Sequence, residues 1–185
     1  SYFGKGQNTK AATILEGRQT RFIAAEPASC PKLTRGILQY DFGDEAGYTP
    51  LLPMFTLGHD FAPANIHAGG LRYHGAGTIV SQLKEDGYME AVDIPQLESF
   101  KAGTLFGQAE GIIPAPESCH AIASTIREAL KAKEEGVRKT ILFNLSGHGL
   151  IDMAAYDQYN AGNLVNYELP DSTIHESIDK LEKLI

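Results

Sequence analysis

Hydrophobic positions recur along the chain with two periods. Between Glu117 and Glu135, Ile122, Ile126 and Leu130 fall at i, i+4 and i+8. Arg127, Glu128, Lys131 and Glu134 take the other side and Gly136 follows as a stop, which predicts an amphipathic helix. A second stripe, Ile174, Ile178, Leu181 and Ile185, begins within Thr173-Ile-His-Glu176, whose spacing is that of a capping box. It predicts a helix in the tail from Asp171. Pro95 suits the first turn of a helix running to about Ala109, and residues 152–159 predict a short one. Gly69 to Lys84 can form a helix with Leu71, Ile79, Val80 and Leu83 as its buried side, and a modest helix candidate follows Asn8.

The shorter period marks strands. Arg21–Ala25 is a compact one, closed by Glu26-Pro27, and residues 88–93 alternate. Ile141–Leu145 carries four apolar residues of five and predicts a short buried strand. From Ser29 to Pro63 there is little periodicity, and Pro31, Gly36, Gly43, Gly47, Pro50, Pro53, Gly58 and Pro63 punctuate a long loop of functional or poorly ordered type. Helices alternating with short strands indicate an α/β fold with mostly parallel strands. Three strands are few for a self-sufficient sheet.

The strand at 141–145 runs into Ser146-Gly147-His148-Gly149. Its glycines permit close backbone approach, and ligands of open α/β sheets sit past the carboxyl ends of strands. Ser146 is therefore offered to a ligand, although a tight connection with an incidental serine uses the same residues. Glu110-Gly-Ile-Ile-Pro-Ala-Pro-Glu117-Ser-Cys-His120 sets two glutamates about a Pro-bounded elbow. Glu117 and Ser118 suit a helix start, whereas Glu110 ends a helix where the dipole disfavours an anion. Thr56-Leu-Gly-His-Asp60-Phe61, with His67 to Gly75 beyond it, gathers Arg72, Tyr73 and three histidines, a composition for polar recognition or for a solvated loop of mixed charge.

Composition narrows these readings. At 185 residues, one domain over 1–185 is the default. With 43% hydrophobic and 21% charged residues the chain has the balance of a globular protein. A net charge of −7 without a basic block argues against nucleic acid or an anionic membrane as partner, and no apolar run is long enough to span a bilayer. Cys30 and Cys119 suit a reducing cytoplasm. The chain opens Ser1-Tyr-Phe-Gly with neither an initiator Met nor a signal peptide, compatible with trimming, a fragment, or a start outside this sequence. Six histidines show no His-x-x-x-His pair, Asn144 and His148 break the Gly-x-Ser-x-Gly frame around Ser146, and no phosphate-cradling glycine motif occurs.

Glu110-Gly-Ile-Ile-Pro-Ala-x-Glu-Ser-x-His-Ala, Leu57-Gly-x-Asp60-Phe61 and Asn144-Leu-Ser146-Gly-x-Gly149 together resemble the carboxyl-terminal half of the tryptophan synthase beta subunit. The stretch from His67 to Gly75 is similar to that family's second, beta-like branch. The likeness runs over roughly residues 20–165 in consistent order. It implies a three-layer α/β enzyme of fold type II, dependent on pyridoxal 5'-phosphate, that joins L-serine and indole into L-tryptophan by β-replacement. By motif match Ser146, with Gly147, faces the cofactor's pyridine nitrogen, and Glu110 lies close to the cofactor. Asp60 pairs with a mobile-domain arginine on closure, and the carbonyls of Gly58 and Phe61 belong to a monovalent cation site. A hydroxyl can donate to the ring nitrogen but cannot hold it protonated, which favours replacement at Cβ over transamination. The family further implies a cytoplasmic homodimer and association with a tryptophan synthase alpha subunit.

The family's Schiff-base lysine and phosphate loop have no match here, so the chain reads as less than half of such a subunit, inactive alone. Two alternatives stay open: a serine deaminase or β-replacing enzyme with another nucleophile, and a non-catalytic binding or assembly half.

Overall fold

The computed structural model describes residues 20–181. The strands are β1 (Ile23–Pro27), β2 (Ile37–Asp41), β3 (Leu52–Thr56) and β4 (Glu90–Ile94). The α-helices are α1 (Thr78–Glu85), α2 (Gln96–Glu110), α3 (Pro116–Glu134), α4 (Met153–Asn160) and α5 (Asp171–Leu181). The helix candidate after Asn8 lies outside the described residues, as does Ile185 of the tail stripe. No described helix is long and apolar enough to cross a membrane.

β1 and β4 pair in parallel, from Ile23 opposite Glu90 to Pro27 opposite Ile94. Their side chains alternate between two cores, as the pleat requires. Ala25 and Val92 face Ile94, Ala102, Ile122 and Ala123, where α2 and α3 cover the pair. Ala24 and Ala91 face Phe55 of β3 and Val80 of α1, with Leu33 and Ala76 from the connecting segments. Arg21 fastens the entry to β1, donating to Glu90 and Glu128 at 2.7 Å each. The far sides of α2 and α3 bury Phe100 and Cys119 against Ala155 and Tyr156 of α4. A further core joins Cys30, Leu57 and Phe61 to Leu169, Ile174 and Ile178 of the tail. Both cysteines are free and buried.

Several expectations need correction. β2 and β3 form an antiparallel hairpin, Ile37 opposite Thr56, within the stretch read as one long loop, so the strands are not mostly parallel. The helix expected over 69–84 divides into a 3-10 turn (Gly69–Leu71) and α1. Between them His74 and Ala76 bond to β3, through Leu57 N to His74 O and Ala76 N to Phe55 O at 2.9 Å each. Ile79, expected inside, is 74% exposed, and the buried residue of α1 is Ser81. Its hydroxyl accepts from Phe55 N at 2.9 Å. Ile141–Leu145 does not form a strand among the described residues. Phe143 still packs into the α2–α3 core, its ring edge-on to Phe106. Leu142 is 85% exposed and no neighbouring strand supplies a ladder.

Candidate functional site

The Ser146 turn is seated on the elbow between α2 and α3. Ala115 N donates to Gly147 O at 2.9 Å and Gly149 N donates to Ile113 O at 2.8 Å, a two-bond antiparallel clasp around Pro114 and His148. Gly149 must be glycine, because a Cβ there would run into the Pro114 carbonyl oxygen. The elbow is stiff for local reasons. Gly111 caps α2 in the left-handed conformation at φ 71°, and Pro116 opens α3 in its first turn.

Sequence reasoning treated Ser118 only as a helix-start residue, and it does more. Its Oγ accepts from Gly147 N at 3.1 Å and lies 3.0 Å from Ser146 Oγ. Either hydroxyl can donate to the other, and Ser118 Oγ also lies 3.5 Å from Gly147 O, so Ser118 holds the exposed Ser146 hydroxyl from behind. Only the Ser-x-His spacing after Glu117 hinted at this, and no local rule links residues 28 apart. Glu117, next door, accepts from Gly70 N at 3.0 Å near the positive end of α3. Glu110 is exposed at the last turn of α2, with no side-chain hydrogen bond or ion pair to another of the described residues, three residues before the carbonyl that holds Gly149. His120 is buried, with Nδ1 on Pro116 O at 2.9 Å and Nε2 unpartnered, and burial pushes its pKa down.

Asp60, Gly58 and Phe61 gather elsewhere, against α5. Asp60, for which the resemblance implies an arginine partner on closure, here accepts from Ser177 Oγ at 2.8 Å and Lys180 Nζ at 2.6 Å. Gly58, at φ 99°, lies so close to Ser177 that a Cβ would displace it. The Gly58 carbonyl accepts from Phe61 N at 3.0 Å and keeps a second lone pair. Phe61 itself is buried in the tail core.

The polar loop beyond is structural. Tyr73 OH donates to the Gly43 carbonyl, and His74 Nε2 lies 2.8 Å from Phe42 O. The fully buried Asp41 accepts from Thr56 Oγ1 at 2.6 Å, His59 Nδ1 at 2.7 Å and Phe42 N at 2.8 Å. Three of the loop's polar side chains thus hold the hairpin rather than wait for a ligand. Among the described residues no group of three or more His, Cys, Asp or Glu could hold a metal ion.

No family model matches the chain. Curated relatives do. It is 61% identical over 142 residues to tryptophan synthase beta chain 2 of Thermotoga maritima, covering 77% of this chain and 34% of that one. To tryptophan synthase beta chain 2 of Aquifex aeolicus it is 56% identical over 159 residues, 84% of this chain and 37% of the relative. The protein of the same name from Methanosarcina acetivorans is 57% identical over 152 residues, 82% and 34%. The described residues thus define a mixed α/β protein of helices with a parallel strand pair. Over the matched stretch the chain belongs to the tryptophan synthase beta family. It spans about a third of the length of the curated relatives it matches.

Proposed function

We propose that this chain is the carboxyl-terminal part of a cytoplasmic, pyridoxal-phosphate-dependent enzyme that joins L-serine and indole into L-tryptophan by β-replacement. The observation that carries the reading is the Ser118–Ser146 pair: an exposed hydroxyl, able to donate, held from behind at the end of the 141–145 segment. Such a donor fits the nitrogen edge of a pyridine ring, which needs one hydrogen bond and no fixed charge. The residues present fit that edge of the cofactor. Ser146 and Gly147 would hold it, with Glu110 beside it.

When bound, the cofactor supplies an electron sink for the substrate's α-carbon. The chain's own part is to keep that sink weak. A hydroxyl at Ser146 gives a proton to share, not a negative charge, so the ring nitrogen is not held protonated. Glu110, without a side-chain partner among the described residues, is available to a proton on the substrate or cofactor side. Asp60 acts in closure, and the carbonyls of Gly58 and Phe61 take a monovalent cation. The remaining two-thirds of the polypeptide would complete a three-layer sheet of fold type II and bring the lysine and phosphate loop. In that form it would be a homodimer that associates with an alpha subunit.

The test is product analysis of the complete polypeptide with L-serine, indole and pyridoxal phosphate. Tryptophan is the expected product. Pyruvate alone would make it a serine deaminase, and no reaction would make it an assembly half. The 185-residue chain alone is expected to make no tryptophan.

A further inference from the structure

The Asp60 carboxylate is clamped by a single helix. Ser177 donates to Oδ1 and Lys180 to Oδ2, so each oxygen has its own donor from α5. The two donors are three residues apart and therefore stand one turn apart on one face. Ile174, Ile178 and Leu181, buried on the same helix, dock it, the first two against Leu57 and Phe61 on either side of Asp60. Seating α5 thus brings both donors to the carboxylate. Gly58 makes room for the clamp, since a Cβ there would meet the Ser177 hydroxyl.

The clamp is nevertheless releasable. A groove of about 130 Å³, lined by Phe61, Ala62, Thr173 and Glu176, opens beside the carboxylate. Lys180 is 66% exposed and has no place in the apolar core, so its ammonium can leave Asp60 while α5 stays docked. Glu176, in the same groove, is a second carboxylate near Lys180. Partial burial raises the Asp60 pKa, but the bonds from Lys180 and Ser177 outweigh it, and the carboxyl sits below its ordinary range.

We propose that Ser177 and Lys180 are positioning residues for Asp60: α5 orients that carboxylate by placing one donor on each of its oxygens. This rests on the reading of Asp60 as a site residue. The groups facing Asp60 are Ser177 and Lys180 from α5, with Glu176 near Lys180, and His59 from its own loop, whose Nδ1 is turned to Asp41.

The experiment uses the complete polypeptide with carboxyl-labelled aspartate, the Asp60 resonance being assigned by its loss in Asp60→Asn. The Asp60 titration and the pH profile of kcat/KM for serine are measured in parallel. Lys180→Ala is expected to move the Asp60 pKa up, Ser177→Ala to move it the same way by less, and Lys180→Arg to restore it. The acid limb of the profile should follow each shift. An Asp60 titration indifferent to both alanine substitutions overturns the clamp. A titration that shifts while the acid limb stays put upholds the clamp and overturns the placing of Asp60 in the reaction.

Discussion

Around Ser146 the surface is open, and around Asp60 it is closed over. Leu142, Leu145, Leu150 and Ile151 flank the serine turn with their side chains exposed, Ile151 to 87%. Leu57 and Phe61 flank Asp60 and are buried beneath α5. The two motifs read equally specific in sequence, and what separates them is whether their partners lie within this polypeptide. The tail brings its own helix to the Asp60 loop. The 141–145 segment has the composition and partial alternation of a strand and lacks a strand to pair with among the described residues. A run of exposed apolar residues of this kind is a surface awaiting cover.

Substitutions can break this comparison at either end. The largest effect belongs to a position that neither end shares. Phe100 is fully buried, edge-on to Tyr156 and stacked on Tyr159. Phe100→Ala should cost ~3–5 kcal/mol by denaturant unfolding of the complete polypeptide. Next comes Leu142→Lys, which probes the open face directly. It should reduce self-association of the 185-residue chain, followed by sedimentation. In the complete polypeptide, where a neighbouring strand is expected, it should cost at least ~2 kcal/mol. Equal tolerance in both would mean that the face stays wet.

A smaller effect is expected at the site. Ser146→Ala should weaken cofactor retention by ~1–2 kcal/mol, the scale of one hydrogen bond, as read by spectral titration. Ser146→Asp should divert product toward side chemistry, and an unchanged product partition would refute the role given to the hydroxyl. Ser118→Ala should lose part of the Ser146→Ala effect in affinity and add little to it when combined, since the two act through one chain of bonds.

The smallest effect is a pH dependence. Burial depresses the His120 pKa below its ordinary 6.5. The unfolded chain therefore takes up a proton near pH 6.5 that the folded one refuses. The stabilising contribution is complete above that value and is lost as pH falls toward the folded pKa. His120→Gln should flatten the pH dependence of unfolding below about 6.5.

What was legible in the sequence was what local periodicity can encode. α3 and α5 lie within a residue or two of their stripes because Ile122, Ile174 and Ile178 each face a core from one side of a helix. The hairpin escaped notice because Pro53 and the short alternating run of β2 carry a weak strand signal, while the buried Asp41 carboxylate ties β2 to Thr56 of β3 and to His59 beyond it. Asp60 was picked out by its motif. Its true company, Ser177 and Lys180, lies 117 and 120 residues away, where no spacing rule reaches. The 69–84 stretch misled because Gly75 and Gly77 interrupt it, and its apolar residues serve two elements rather than one face.

The two cysteines divide the molecule in a way that can be timed. Cys30 lies in the core beneath α5, and Cys119 lies between α2, α3 and α4, each with no exposed surface. Burial lifts both thiols above their ordinary range, Cys119 to about 11, where it sits 3.2 Å from the Tyr156 hydroxyl. Neither reacts as a thiolate while its surroundings stay packed. Each is therefore a clock with its own hand: alkylation of Cys30 counts the moments when the tail lifts from the Asp60 loop, and alkylation of Cys119 counts the openings of the helical pair under the Ser146 turn.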